Sequence, residues 1–169
     1  MNRLWIALRS AIYATLFLAA WAWVAFRCRG LDAYLPLRLP AGGAIPGRML
    51  FLAGAALALA TVIFFIVEGG GTPAPFDPPK KFVPRGPYRW VRNPMYVGGV
   101  AMLLGLGLRL ASVAMVLFAL VALLLIHAFV VGVEEPGLRR RFGKEYEDYC
   151  RAVPRWLPRL TRRAPSGGF

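Results

Sequence analysis

Between Arg85 and Gly98 the chain reads Arg-Gly-Pro-Tyr-Arg-Trp-Val-Arg-Asn-Pro-Met-Tyr-Val-Gly, and one apolar stretch later it reads Val-Glu-Glu-Pro-Gly-Leu. Phe82, Tyr88 and Trp90 offer flat faces to a heteroaromatic ring. Glu134 and Glu135 suit a cation, or the hydroxyls and amino group of a nucleoside-like ligand. Acids beside an apolar segment are costly to hold near lipid, which makes them functional candidates by position. Their structural uses are to pair with Arg139 or Lys144, or to sit favourably at the start of the following helix. The segment before the block is stiff: seven prolines in residues 73–94 fix their own φ and bias the residue before each. Such a segment can wrap a ligand at low entropic cost, or simply lie on a membrane surface anchored by Tyr88 and Trp90.

The elements that must position these residues are apolar. Of 169 residues 58% are hydrophobic, against ~45–50% in an average soluble domain. Residues 4–26, 49–67 and 95–133 read as membrane segments, and a helix needs roughly 20 apolar residues to cross the hydrocarbon. The third stretch is 39 residues long and is interrupted at Leu108-Arg109-Leu110-Ala111-Ser112, so it predicts two helices joined by a tight turn. The first arm of that hairpin is short and carries Gly98, Gly99, Gly105 and Gly107, which allow close helix approach in lipid. The first segment is longer than the ~7–15-residue core of a signal peptide and is expected to be a retained helix.

After the acids, Leu138, Phe142, Tyr146, Tyr149 and Val153 recur at helical spacing, predicting one apolar face of an amphipathic helix. Pro154 and Pro158 end it. The expected fold is therefore an all-α integral membrane protein with about four transmembrane helices, the last two a hairpin, plus a C-terminal amphipathic cytoplasmic helix. Residues 1–67 form the first two helices and their loop. Residues 68–169 form the core that carries the motifs.

Charge orients the chain. Sixteen of the 21 basic residues fall in the N-terminus, the loop 68–93 and the tail from residue 134. The positive-inside bias places those three parts in the cytoplasm. The net charge of +13 follows the membrane boundary instead of one folded face, which argues for membrane lipids and against nucleic acid as the partner. Cys28 and Cys150 are expected on opposite sides, and no Cys/His metal spacing occurs. His127 is the only histidine, so neither a metal site nor a Ser-His-Asp hydrolase is expected. Its place in the last membrane helix makes it a functional candidate or a neutral, hydrogen-bonded ring.

Taken in order, Arg-Gly-Pro-Tyr-x-x-Val-Arg-Asn-Pro-Met-Tyr-Val-Gly, Glu-Glu-Pro-x-Leu, Phe-Gly-x-x-Tyr-x-x-Tyr and Val-Pro-Arg-Trp-Leu-Pro resemble the isoprenylcysteine carboxyl methyltransferase family. The phospholipid methyltransferases share much of that signature. The resemblance covers residues 80–158 and implies a membrane enzyme that uses S-adenosyl-L-methionine and takes its acceptor from the bilayer. It implies cofactor contacts at Lys80, Lys81, Phe82, Val83, Tyr88, Asn93, Pro94, Tyr96 and Glu134, with Glu135 beside them. Asn93, Tyr96 and Glu135 are its implied catalytic positions. Asn93 stands where the carboxyl methyltransferases carry histidine, as in the Asn-Pro-Met-Tyr form of the phospholipid enzymes. An arginine associated with a prenylcysteine carboxylate falls near Val130, which cannot bind an anion.

The chemistry so implied is direct displacement of a methyl group from a cationic sulfur by a lipidic or small apolar amine, thiol or carboxylate. Alignment alone supplies ~7–11 kcal/mol in favourable cases, and aromatic faces with Glu134 favour a cationic cofactor over its neutral product. A protonated acceptor needs a base, for which Glu135, Tyr96 and His127 are the candidates. Two other classes fit the composition. A sterol-reductase-like, NADPH-dependent membrane oxidoreductase would use Lys80, Lys81 and Arg85 for a 2′-phosphate. A non-catalytic, anionic-lipid-binding membrane protein would tolerate replacement of Asn93, Tyr96 and Glu134.

Overall fold

The computed structural model describes residues 3–64, 67 and 85–158. Lys80, Lys81, Phe82 and Val83, expected to touch the cofactor, lie outside the described residues. Every regular element described is helical: α1 (Arg3–Arg29), α2 (Ala44–Phe64), α3 (Pro94–Arg109), α4 (Val113–Phe129) and α5 (Glu135–Ala152). A π-helical turn (Val130–Glu134) joins α4 to α5, and short 3-10 turns occupy Gly30–Tyr34 and Gly86–Arg89.

The long third apolar stretch breaks where its sequence suggested. Ala111 takes a left-handed φ of 48°, and Ser112 caps α4 by accepting from the Met115 amide at 3.2 Å. Asp32, on the turn after α1, accepts from the Ala114 amide at 2.8 Å. Two of the amides that a helix start leaves without partners are thus satisfied, one of them from a distant loop. That bond ties the α1–α2 connection to the far end of the α3–α4 hairpin.

Glycines decide which helices touch. Gly47 and Gly54 on α2, and Gly98 and Gly105 on α3, are each two turns apart on one face. A Cβ added to Gly54 would lie 2.6 Å from the Gly98 carbonyl oxygen, and one on Gly98 would lie 2.7 Å from the Gly54 oxygen. Gly47 and Gly105 stand in the same reciprocal relation, at 2.6 Å each way. The two backbones therefore run antiparallel in direct contact. Gly107 instead faces Val116 of α4, and Gly99 has open space around it. The small residues of the hairpin's first arm close it mainly onto α2, not onto its own partner arm.

The outer faces are apolar. Leu52, Leu59 and Ile63 on α2 and Leu120, Val121, Leu124 and Leu125 on α4 are all exposed, Leu124 to 67%. Contiguous apolar surface of this kind requires a covering phase, and lipid supplies it. Among the described residues two helical stretches are long and apolar enough to cross a membrane: α2, and the one that starts at Val113. α3, at 16 residues, is shorter. α1 packs on α4 through Trp21 and Phe118, ring centroids 5.6 Å apart.

On α5, Tyr146 and Tyr149, with Val153 just beyond, form a buried cluster against Leu138, Phe142 and Cys150, the face that the spacing picked out. Gly143 sits at φ 52°, ψ −128° and kinks the helix, a backbone geometry that a residue without Cβ adopts most cheaply.

Candidate functional site

Three segments converge at one end of the bundle: residues 85–96, the α4–α5 junction, and the end of α5 with the extended chain that follows. One backbone bond and several side-chain bonds stitch them together. The Arg92 amide donates to the Pro154 carbonyl at 2.8 Å. The Tyr149 hydroxyl donates to the Tyr88 carbonyl at 2.8 Å. Burial raises the Tyr149 phenol well above its ordinary value, so it stays protonated and remains a donor. Tyr88, on the 3-10 turn, is stacked at a tilt against Phe64 of α2, centroids 6.4 Å apart. Burial also pushes the Tyr88 phenol up, so it stays neutral.

Asn93 occupies the N-cap position of α3, and Pro94 the first helical position, where a missing N–H costs nothing. The Asn93 side chain does not cap the helix. Its Nδ2 donates instead to the Arg155 carbonyl at 3.3 Å, and the residue is buried. Tyr96, on the first turn of α3, donates its hydroxyl to Glu134 Oε2 at 3.0 Å.

The two adjacent acids have different surroundings. Glu134 ends the π-helical turn and Glu135 opens α5. A π turn adds a residue to the helical cycle and changes which way the next side chains face. Glu134 accepts from Tyr96, and among the described residues no lysine or arginine forms an ion pair with it. Burial raises its carboxyl above the ordinary range; the Tyr96 bond works against this and the neighbouring Glu135 charge adds to it.

Glu135, 3% exposed, is clasped by arginines. Arg155 forks onto both oxygens, Nε at 2.7 Å and Nη2 at 3.0 Å. Arg92 Nη1 reaches Oε1 at 2.8 Å, and Arg139 stands 3.7 Å from Oε2. Burial alone would raise this carboxyl, but the Arg155 hydrogen bond and the Arg92, Arg155 and Arg139 charges hold it below the ordinary range. The pairing with Arg139 is one of the structural uses the sequence suggests; the stronger partners, Arg92 and Arg155, are not. Arg92 stands in the sequence only as part of a motif, and Arg155 lies 20 residues beyond its partner, so neither local spacing nor periodicity announces them.

His127 accepts at Nδ1 from the Trp156 indole N–H at 3.0 Å, which puts the neutral ring's proton on Nε2. Its hydrogen bond goes to the chain after α5, not to Glu134 or Tyr96. Val130 is fully buried, in keeping with a position that cannot receive an anion. Tyr88, Asn93, Pro94, Tyr96, Glu134 and Glu135 are thus gathered around the α4–α5 junction, with the two acids in separate settings.

The description "phospholipid methyltransferase" attaches to a family model that matches residues 44–145, from α2 into α5. The chain belongs to the phospholipid methyltransferase family. The matched span holds all six of those residues, and leaves out Arg155. The family signature resembled at the outset is therefore shared in fact, and the membrane-facing exterior of α2 and α4 accords with a membrane family. Among curated relatives, this family member is 33% identical over 81 residues to the nickel-cobalt-cadmium resistance protein NccN of Alcaligenes xylosoxydans xylosoxydans, covering 48% of this chain and 38% of that protein. It is 34% identical over 79 residues to the cobalt-zinc-cadmium resistance protein CzcN of Cupriavidus metallidurans, covering 47% of this chain and 36% of the relative. The matches thus span little more than a third of the length of either relative.

Proposed function

We propose that this chain is an S-adenosylmethionine-dependent membrane methyltransferase acting on a lipidic or small apolar acceptor. The observation that carries the reading is the 3.0 Å bond from Tyr96 to Glu134. It holds a carboxylate at the edge of the apolar bundle, in surroundings that disfavour its charge and with no cation beside it among the described residues. A carboxylate so held gains most from a ligand that brings positive charge, and the methyl donor is such a ligand. When bound, the donor supplies an electrophilic methyl group on a cationic sulfur.

The chain's own residues then have separable tasks. Glu134 attracts the cation and Tyr96 fixes the carboxylate's orientation. Asn93 and Pro94 set the start of α3, and with it the direction of Tyr96. Lys80, Lys81, Phe82, Val83 and Tyr88 belong to the same proposed pocket. Glu135, with both oxygens taken by arginines, serves as the post on which Arg92 and Arg155 are fixed, and the base for a protonated acceptor is to be sought elsewhere. α1 to α4 are proposed as four spans and α5 as a cytoplasmic amphipathic helix, with the N-terminus, the site and the C-terminus on the cytoplasmic side. The acceptor is an amine, thiol or carboxylate presented from the bilayer.

The test is calorimetric titration of S-adenosylmethionine into the detergent-purified protein, with NADPH as the comparison. Saturable binding of the methyl donor alone is expected. Saturable binding of NADPH alone would replace the reading with a reductase.

A further inference from the structure

A second feature adjoins the arginines that hold Glu135. A cavity of about 410 Å³ is lined by Arg92, Arg139, Glu147, Cys150, Arg151 and Arg155. Neither Tyr96 nor Glu134 borders it. Its walls come from the segment before α3, from α5 and from the chain after α5, so it exists only in the folded protein.

Its cations exceed what the protein gives them. Each guanidinium has five N–H donors in a rigid fork. Arg92 spends Nη1 on Glu135 and on the Cys150 sulfur at 3.0 Å, a weak acceptor, while its buried Nε has no partner among the described residues. Arg155 spends Nε and Nη2 on Glu135, and Arg151 reaches Asp148 at 3.3 Å. The four guanidiniums that line the cavity ion-pair with two carboxylates, Glu135 and Asp148, and most of their N–H donors have no protein acceptor among the described residues. Arg92 and Arg155 are already immobilised by Glu135, so little entropy is lost when they meet a ligand. Converging planar forks around an open cavity match a tetrahedral oxyanion, which accepts several N–H bonds at once. Glu147 also lines the cavity and lowers its net positive charge.

We propose that this cavity binds a single phosphate group, separate from the proposed methyl-donor pocket. The phosphate belongs to a lipid headgroup or is free in solution, and the test separates the two. The full chain in phosphate-free detergent is titrated by calorimetry with inorganic phosphate, with a short-chain phosphatidic acid, and with an uncharged short-chain diacylglycerol. The measurement is made at about 0.15 M salt, where distant surface charges are screened. Saturable binding of at least one phosphate-bearing probe is expected, weakened tenfold or more in Arg139→Gln/Arg151→Gln. Binding of phosphatidic acid alone identifies a headgroup site; binding of both probes identifies the phosphate itself as the ligand. Arg151→Ala, at a side chain 76% exposed and away from Glu135, is the second variant should the double one fail to fold, and it is expected to weaken binding several-fold. The proposal is overturned by no saturable binding of either phosphate probe, by equal binding of diacylglycerol, or by unchanged affinity in folded variants. The methyl donor takes no part, so the two proposals fail independently.

Discussion

Tyr96 and Glu134, 38 positions apart in the chain, meet across a 3.0 Å hydrogen bond at the junction of α3, α4 and α5. The next residue, Glu135, turns to three arginines. Two carboxylates in sequence thus have opposite electrostatic settings, one without a cationic partner among the described residues and the other surrounded by arginines. Such divergence is a common mark of acids with different tasks.

Removing the lone acid isolates its task. Glu134→Gln is expected to weaken S-adenosylmethionine binding by tenfold or more, since a charged hydrogen bond contributes about 1.5–3 kcal/mol and each 1.4 kcal/mol is tenfold. Circular dichroism should show unchanged helix content. A folded variant with wild-type affinity would remove Glu134 from the binding site.

Removing its neighbour is expected to act on folding. Glu135→Ala leaves Arg92 and Arg155 without their counter-charge in a buried setting, a change that costs on the order of 3–5 kcal/mol. Thermal unfolding in detergent should occur at a markedly lower temperature, with the chain from Pro154 becoming open to proteolysis. An unchanged unfolding temperature would mean that the arginines find other partners.

The two acids also predict opposite pH behaviour. Glu135 has a folded pKa held below the ordinary 4.5, so its contribution to stability is fully present above that value and is lost as pH falls through the folded pKa. Glu134 has a folded pKa raised above 4.5; the folded state favours its protonated form, so this group adds stability at low pH that disappears as pH rises through the folded pKa. A cationic ligand should therefore displace a proton from Glu134 in the window just above 4.5. Calorimetry in buffers of different ionisation enthalpy would detect that release, and Glu134→Gln should abolish it.

The glycine contact supplies a prediction with its own control. Gly98→Ala puts a methyl group 2.7 Å from the Gly54 carbonyl oxygen, and overpacking of this kind costs about 1–3 kcal/mol. Gly99→Ala, with nothing within 4 Å, should be neutral in the same thermal assay. Equal unfolding temperatures for the two variants would contradict the antiparallel α2–α3 contact.

Much of this was legible in the chain. The apolar segments and the break near Ser112 follow from composition and length alone, because a bilayer demands long apolar runs and a turn demands their interruption. The face of α5 was readable from the spacing of Tyr146 and Tyr149, since helical period is a local property. The motifs around Asn93 and Glu134 carried the family. Pairing was not legible. The glycines of α3 announced a close contact but not that α2 would fill it, because a small residue permits approach from whichever helix the fold brings near. Adjacent acids are equivalent by type, and only the packing at the α4–α5 junction separates Glu134, bonded to Tyr96, from Glu135, held by arginines. Arg155 met Glu135 only because the chain after α5 folds back beside α3, and a charge in sequence carries no record of its partner. Sequence determined where the chain meets lipid and which residue types are available for chemistry; tertiary structure alone decided which carboxylate is held by arginines and which by a tyrosine hydroxyl, because that depends on distances of a few ångströms between segments remote in the chain.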